Sequence, residues 1–258
     1  MENPTTFEKT NKVLGWILII MAVGAVIALI AFTFFLDAIV KKGIVAVGPK
    51  LTQTTVTLDA VHISLLTGSA KMQGFVIGNP EGYKTKQAIS VGTVAIGIDP
   101  FSITKNKIVI RSIKVESPDI TFEGDPLSGN NLAKIRSNIV GVQKSGGPPG
   151  ASTNAVATAP NKPGKKLEVD DFIIKGGKVH AIITGMSDKE ITVQIPDVHL
   201  QNLGTDKNGI TATDLSYRII DAITAATVKA VVAAAAQSNL DGKNVQKIEK
   251  GINSLIGK

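Results

Sequence analysis

The chain contains no cysteine and few aromatic residues. Without cysteine it forms no disulfide bonds, zinc–thiolate sites or catalytic thiols. Aromatic residues make up only 4% of the sequence, and the lysines behind its net charge of +7 are scattered. A nucleic-acid surface usually combines clustered Lys and Arg with stacking aromatics, so we predict no nucleic-acid partner. A mild excess of lysine instead suits a position beside an anionic membrane surface.

Sequence signatures of catalysis are also missing. The chain has no dinucleotide-binding glycine motif, no P-loop, no HExxH motif and no GxSxG motif. Its histidines, His62, His180 and His199, each lie between apolar neighbours in segments that resemble strands. Strand alternation places them on the face opposite the apolar one, where solvent-facing residues are expected rather than metal ligands. We therefore predict a protein that is not an enzyme and holds neither cofactor nor metal.

One long apolar run is present near the N-terminus. Residues 13–36, VLGWILIIMAVGAVIALIAFTFFL, carry no charge. A helix of this length rises roughly 36 Å and would cross a hydrocarbon core of about 30 Å. The run is longer than the apolar region of a signal peptide and ends in bulky residues. It predicts a transmembrane helix at 13–36 after a short cytoplasmic tail at 1–12, although lysines on both flanks leave the orientation open.

A pattern of apolar residues recurs five times after this run. Two alternating apolar residues are followed by a step of three and then by two more, written apolar-x-apolar-x-x-apolar-x-apolar. A step of three moves the second half of a strand to the wrong face unless an extra residue forms a β-bulge. We therefore predict long bent strands that together make a strongly curved, bulged antiparallel sheet or groove. The copies begin at Val56, Ile89, Ile108, Leu167 and Val193.

In this interpretation the second half of each copy contributes two side chains to one apolar face. Exposing an acyl chain to water costs about 0.8 kcal/mol per methylene, so a carrier needs a continuous apolar lining. The candidate lipid-groove residues are Val61, Ile63, Val94, Ile96, Ile113, Val115, Phe172, Ile174, Val198 and Leu200.

The rest of the chain divides around this pattern. The β domain is expected at 37–210, with a disordered insertion at 143–166 that is rich in Gly, Pro, Ser, Ala and Lys. Two of the repeat copies continue through a Ser-Pro or Gly-Gly turn into a short strand, which predicts hairpins. The C-terminal segment 211–258 is expected to be helical, with Thr213 or Asp214 as the first N-cap and a second, amphipathic helix after Gly242. The predicted fold class is a membrane-anchored α+β protein that is mostly β.

Part of the sequence resembles a known family. The quoted segments are ISLLTGSAKMQGFVIGNPEGYKTKQAISVGTVAIGIDP, KIVIRSIKVESPDITFEG and NNLAKI. They resemble the N-terminal module of bacterial AsmA-like proteins, in which one membrane anchor precedes bent β repeats. The resemblance covers about 36–139 and is more diffuse over 166–204. It implies a Gram-negative inner-membrane protein with its bulk in the periplasm, related to β-groove proteins that conduct phospholipids.

Two classes of function follow from these expectations. The first is a single-pass protein whose β-groove binds membrane lipid and assists phospholipid handling or envelope assembly; a module this short would pass its cargo to a partner. The second is a non-catalytic envelope scaffold or accessory subunit, in which the helix at 215–236 fills the groove and the C-terminal helices contact other envelope proteins. A plant-type desiccation-protein domain, which also has an Asn-Pro turn after a strand, is a more distant alternative.

Overall fold

The computed structural model describes residues 4–126, 129–145, 165–184 and 190–237. Within these residues the protein is an α+β structure with eleven strands, three α-helices and a short 3-10 helix at Pro100–Ser102. The α-helices are α1 (Pro4–Thr52), α2 (Asn131–Lys144) and α3 (Ala212–Gln237). The strands are β1 (Val56–Thr57), β2 (Ala60–Ser64), β3 (Ser69–Gly78), β4 (Gln87–Ile98), β5 (Lys107–Glu116), β6 (Asp119–Asp125), β7 (Gly129–Asn130), β8 (Lys166–Lys175), β9 (Lys178–Ile183), β10 (Ile191–Gln194) and β11 (Val198–Leu203).

The helix α1 extends well beyond the predicted apolar segment. It includes the lysines after that segment and ends at Thr52. Many apolar side chains of its N-terminal part are exposed, among them Trp16, Phe32 and Phe35. Across the residues that the structure describes, no helix satisfies both the length and the apolar content of a membrane span. The transmembrane helix at 13–36 therefore stays a prediction.

The C-terminal part of α1 runs along the edge strand β2. The Asp37 carboxylate accepts a hydrogen bond from the Ile63 backbone N–H at 2.8 Å. One turn later, the Lys41 ammonium donates to the Asp59 carbonyl at 2.6 Å. These bonds fix the direction of α1 as antiparallel to β2. They also cover the outer edge of the sheet, where unpaired strand groups would otherwise remain.

The sheet is mixed, so the prediction of an antiparallel sheet is wrong. Its main path runs β10-β9-β6-β4-β5-β8-β11. The pairs β5–β8 and β6–β9 are parallel, and the other pairs are antiparallel. The predicted hairpins are also wrong, because β5 continues into β6 and β8 into β9, and these two interrupted strands lie side by side.

The interruptions between strands form one line across the sheet. Residues 117–118 separate β5 from β6, residues 176–177 separate β8 from β9, and residues 195–197 separate β10 from β11. Neighbouring interruptions are hydrogen-bonded to each other through Ser117 N to Lys175 O (2.8 Å), Lys178 N to Pro118 O (2.9 Å) and Ile195 N to Gly177 O (3.0 Å). The loss of strand geometry at this line therefore leaves few backbone groups unpaired.

The step of three keeps apolar residues on one face, as predicted, but it is built in two ways. The copies that begin at Ile89, Ile108 and Leu167 are single strands, whereas the first and last copies are split between two strands. Between β4 and β5 the register shifts by one residue, which corresponds to a bulge. Between β3 and β4 both strands carry the step, so their register is unchanged across it.

Glycine makes the shared step on β3 possible. Gly74 has φ of +61°, a backbone conformation that other residues adopt only with strain. A Cβ atom at this position would also lie 1.9 Å from the Asp59 carboxylate. Because β3 and β4 step together, and β5 and β8 do so too, the irregularities within these pairs do not accumulate as progressive bending. The sheet is uncurled, which corrects the predicted strong curvature.

One face of the sheet forms the hydrophobic core with the helices. The apolar residues of β4, β5, β8 and β11 share a single cluster with side chains of α2 and α3. On α2, Leu132 and Ile135 are fully buried, and on α3 Val231 is almost fully buried. The end of α1 joins this assembly, since the buried Asn138 amide of α2 donates to the Thr52 carbonyl at 2.7 Å.

Several boundaries differ from the prediction. Residues 143–144 belong to α2, and Lys166 begins β8, while 146–164 of the predicted insertion lie outside the described residues. The predicted first C-terminal helix is present as α3, and the second one lies outside the described residues. The N-cap of α3 is Thr211 rather than Thr213 or Asp214, because its hydroxyl accepts from the Asp214 N–H at 3.0 Å and donates to the Asp214 carboxylate.

Candidate functional site

The residues predicted to line a lipid groove lie mostly inside the core. Six of them are only 2–7% exposed: Val61, Val94, Val115, Phe172, Ile174 and Val198. Three more, Ile96, Ile113 and Leu200, are half-buried and pack against the core. In this structure the face that carries them is covered by helices instead of lining an open groove.

A pocket lies at the edge of the sheet next to α1. Its volume of about 560 Å³ falls in the range of small-ligand sites. It is lined by one residue of α1 and by residues of β2, β3, β4 and β5: Asp37, His62, Ile63, Ser64, Ser69, Ala70, Lys71, Ala95, Ile96, Gly97, Ser112 and Lys114. Only Ile63 and Ile96 of the predicted groove residues border it.

Strand pairing arranges most of these residues in two rows. One row, the lysine row, consists of the paired residues His62, Lys71, Ala95 and Lys114. The next, the serine row, consists of Ser64, Ser69, Gly97 and Ser112. Both rows lie on the same face of the sheet because their members are two positions apart on each strand. This is the face opposite the core.

Small residues at the centre of the rows leave room for a ligand. Ala95 and Gly97 lie on β4, between the strands that carry the larger residues. Lys71 and Lys114 stand on either side of Ala95, two strand spacings or about 10 Å apart at the backbone. The pocket therefore has small residues between two lysines, with three serines in the neighbouring row, of which Ser69 shares a hydrogen bond with the Thr67 hydroxyl at 2.6 Å.

The charges favour an anionic ligand. Lys71 and Lys114 are exposed, have long flexible side chains and both line the pocket. The carboxylate of Asp37 is already engaged by the Ile63 N–H and lies 3.8 Å from His62 Nδ1. Ammonium and hydroxyl groups are donors that bind phosphoryl or carboxylate oxygens.

Sequence reasoning missed this pocket because it followed the apolar positions of the repeats. Most residues of both rows lie beside those apolar residues in three of the copies, whereas Ser69 and Lys71 lie outside the repeats. The available signal was the small or polar content of these positions, namely His62 and Ser64, Ala95 and Gly97, and Ser112 with Lys114.

The histidines face outward, as predicted, and each lies beside a carboxylate. The side chains of His62, His180 and His199 are 65%, 37% and 48% exposed. His180 lies 2.6 Å from a Glu190 oxygen and 3.2 Å from an Asp119 oxygen, and His199 contacts Asp171. Only His62 belongs to the pocket.

A second polar cluster is buried and serves the fold. The Glu123 carboxylate accepts from the backbone N–H of Lys84 at 2.6 Å, and from the N–H and hydroxyl of Thr85 at 2.9 and 2.7 Å. Next to it, the Asn131 amide donates to the Asn79 side chain and to the Thr121 carbonyl, both at 2.7 Å. This cluster holds the turn at 79–86, which connects β3 to β4.

The electrostatics of Glu123 follow from these contacts. Burial acts to raise its pKa, but the hydrogen bonds from Lys84 and Thr85 outweigh burial and hold the pKa below its usual range. Because its acceptor oxygens already bind protein donors, Glu123 is a structural carboxylate. The NPEG and NNLAKI segments of the family resemblance meet here.

Comparison with known proteins gives no match: no protein-family model, no curated protein and no solved structure corresponds to this chain. The AsmA-like resemblance therefore rests on the quoted residues alone.

Proposed function

We propose that the protein is a membrane-anchored, non-catalytic module that binds the anionic headgroup of a phospholipid in the pocket beside α1. Following the AsmA-like resemblance, we place it in a bacterial inner membrane as a single-pass protein, with the β domain in the periplasm. There it would assist phospholipid handling or envelope assembly.

The position of the pocket supports this proposal. Asp37 lines the pocket and directly follows the uncharged run 13–36, whose described side chains are largely exposed. If this run spans a bilayer, the pocket lies at the level of the lipid headgroups. Its two lysines and three serines then face the phosphoryl groups of the leaflet, while the acyl chains stay in the membrane.

The test is a charge reversal in the lysine row. We expect the full chain, gently extracted and examined by native mass spectrometry, to retain anionic phospholipid. The double variant Lys71→Glu, Lys114→Glu should lose it, because each charge-assisted hydrogen bond of about 1.5 kcal/mol corresponds to roughly tenfold in affinity.

A matched control distinguishes an effect of the pocket lysines on lipid binding from an effect of net charge. Lys86 lies at the opposite end of the sheet and Lys134 lies on α2, and both side chains are exposed. The double variant Lys86→Glu, Lys134→Glu makes the same change in net charge and should retain the lipid. Equal lipid content in both double variants, or no lipid in the unmodified protein, would refute the proposal.

A scaffold or accessory subunit is the second candidate. It is favoured by the packing of α2 and α3 against the apolar face of the sheet. A photocrosslinking residue at Lys114 distinguishes the two candidates. Adducts to lipid support the first, and adducts to one envelope protein alone support the second.

A further inference from the structure

Two large apolar side chains are exposed in turns at one end of the sheet. Leu66, between β2 and β3, is 84% exposed, and Phe101, in the 3-10 helix after β4, is 80% exposed. Outside α1, these are the exposed large hydrophobic residues in the described part of the chain. Single exposed apolar residues are common on protein surfaces, so their mutual position decides whether they have a role.

The two turns pack against each other. The Ile98 N–H donates to the Gly68 carbonyl at 2.7 Å. Gly68 has φ of +62°, and a Cβ atom there would lie 3.1 Å from the Pro100 ring. The tips that carry Leu66 and Phe101 are therefore neighbours on one surface.

Hydrogen bonds hold the backbone of the turn that carries Phe101, although the Phe101 ring is exposed. The Asp99 carboxylate accepts from the Phe101 N–H at 3.1 Å and caps the 3-10 helix. The buried Ser102 hydroxyl donates to the Asp99 carbonyl at 2.6 Å and accepts from the Val109 N–H at 2.9 Å. These bonds hold the backbone that presents the exposed phenyl ring, which lowers the entropic cost of ordering the turn when the ring binds.

This end of the sheet faces the apolar part of α1. Asp37 bonds to Ile63 and Lys41 bonds to Asp59, so moving toward the N-terminus of α1 means moving along β2 toward Leu66. The exposed apolar residues before Asp37, such as Phe35, therefore continue past the same end of the sheet.

Exposed lysines lie on the same end. Lys105 follows the 3-10 helix, and Lys165 precedes β8 and donates to the Ile103 carbonyl. Lys207 lies in the turn after β11, next to Asp206, whose carbonyl accepts from Lys107 at 3.0 Å. Two exposed apolar side chains with lysines around them suit the boundary of an anionic leaflet. Each lysine near such a surface contributes about 1 kcal/mol to the free energy of membrane binding.

We propose that this end of the sheet rests on the bilayer, with Leu66 and Phe101 inserted at the boundary between headgroups and acyl chains of an anionic leaflet. The proposal rests on the anchoring of α1 under the proposed function. It adds a second contact, which fixes how the β domain lies on the membrane.

The absence of cysteine makes a direct test possible. Single variants Leu66→Cys and Phe101→Cys of the full chain carry a nitroxide label and are reconstituted in vesicles of phosphatidylcholine and phosphatidylglycerol. Collision with oxygen, which concentrates in the membrane, is compared with collision with a water-soluble nickel chelate. We expect a ratio of oxygen to nickel collisions at both sites several-fold above that at Glu81→Cys.

Glu81 is the matched control because it is exposed in the turn at the other end of β3. The ten residues of β3 separate the two ends by roughly 33 Å. A further variant, Ile20→Cys, reports on α1 itself. High nickel access at 66 and 101 with low nickel access at 20 overturns this inference and leaves the anchoring intact, whereas high nickel access at all three sites overturns both.

Two further outcomes are informative. Protection of 66 and 101 from both reagents indicates a protein partner at this surface and also overturns the inference. Reversing the exposed charges with Lys105→Glu and Lys165→Glu should lower the oxygen-to-nickel ratio at 101 several-fold. An unchanged ratio would contradict the assignment of an anionic leaflet.

Discussion

Single polar residues decide how the turn at the far end of the sheet is held. Glu123 is only 8% exposed, yet it carries a charge because three donors from Lys84 and Thr85 surround its oxygens. A buried carboxylate without such donors would be protonated or would destabilise the fold. The turn and the strand β6 therefore depend on each other through one side chain.

Replacing this carboxylate tests its role. We expect Glu123→Gln to lower the free energy of unfolding by about 1.5–3 kcal/mol at neutral pH, since it removes charged acceptors from three donors. The pKa of Glu123 is lowered in the folded state, so its contribution is present above the unfolded pKa and is lost as pH falls through the folded pKa. Denaturation of both forms between pH 7 and pH 3 should give a difference that shrinks in acid.

The exposed Glu81, in the same turn, supplies the control for this measurement. Glu81→Gln should leave stability within about 0.5 kcal/mol of the unmodified protein, as for most surface substitutions. A difference for Glu123→Gln that stays constant down to pH 3 would contradict the electrostatic explanation.

At the scale of elements, the repeats determine which side chains reach the core. The step of three predicted a single apolar face from sequence, and Val91 and Val94 are both buried on β4 across that step. The pairing of the strands was not predictable, because an apolar pattern records faces and not neighbours. Parallel contact between β5 and β8 depends on the chain between them, which carries α2, a helix that the repeat pattern did not indicate.

The candidate site escaped prediction for a related reason. Its lysine and serine rows come from four different strands, so their proximity follows from register. The polar positions of a single repeat copy give no sign of which other copy lies beside it. The outward direction of His62 needed only alternation and was predicted correctly.

Deleting Thr93 tests the step on β4. The deletion removes one of the two residues between Val91 and Val94, and would turn Val94 and Ile96 away from the core. Each of these two side chains contributes roughly 1.5–3 kcal/mol when it is buried. We therefore expect the free energy of unfolding to fall by about 3–6 kcal/mol, a large part of the stability of a domain. Thr93→Ala keeps the register and should cost much less. Chemical denaturation in detergent measures both; equal stabilities would rule out this function of the step.

At the scale of the whole molecule, the proposed topology places the two ends of the chain on opposite sides of a membrane. A reporter that is active only in the cytoplasm should stay silent when fused after Lys258 and work when fused before Met1. The reason is the single uncharged run between them, which would cross the bilayer once. Activity in the C-terminal fusion would reverse the orientation, and activity in both fusions would contradict a spanning helix.

The helix α1 is continuous from Pro4 to Thr52 and is fastened to the β domain at Asp37, Lys41 and Thr52. A helix turns by about 100° and advances about 1.5 Å with each residue. The number of residues from the middle of the apolar run to Asp37 therefore sets the direction in which the β domain projects from the helix axis. One residue inserted into or deleted from the run before Asp37 would rotate the pocket by about 100° around that axis relative to the rest of the run, while leaving every contact within the sheet unchanged.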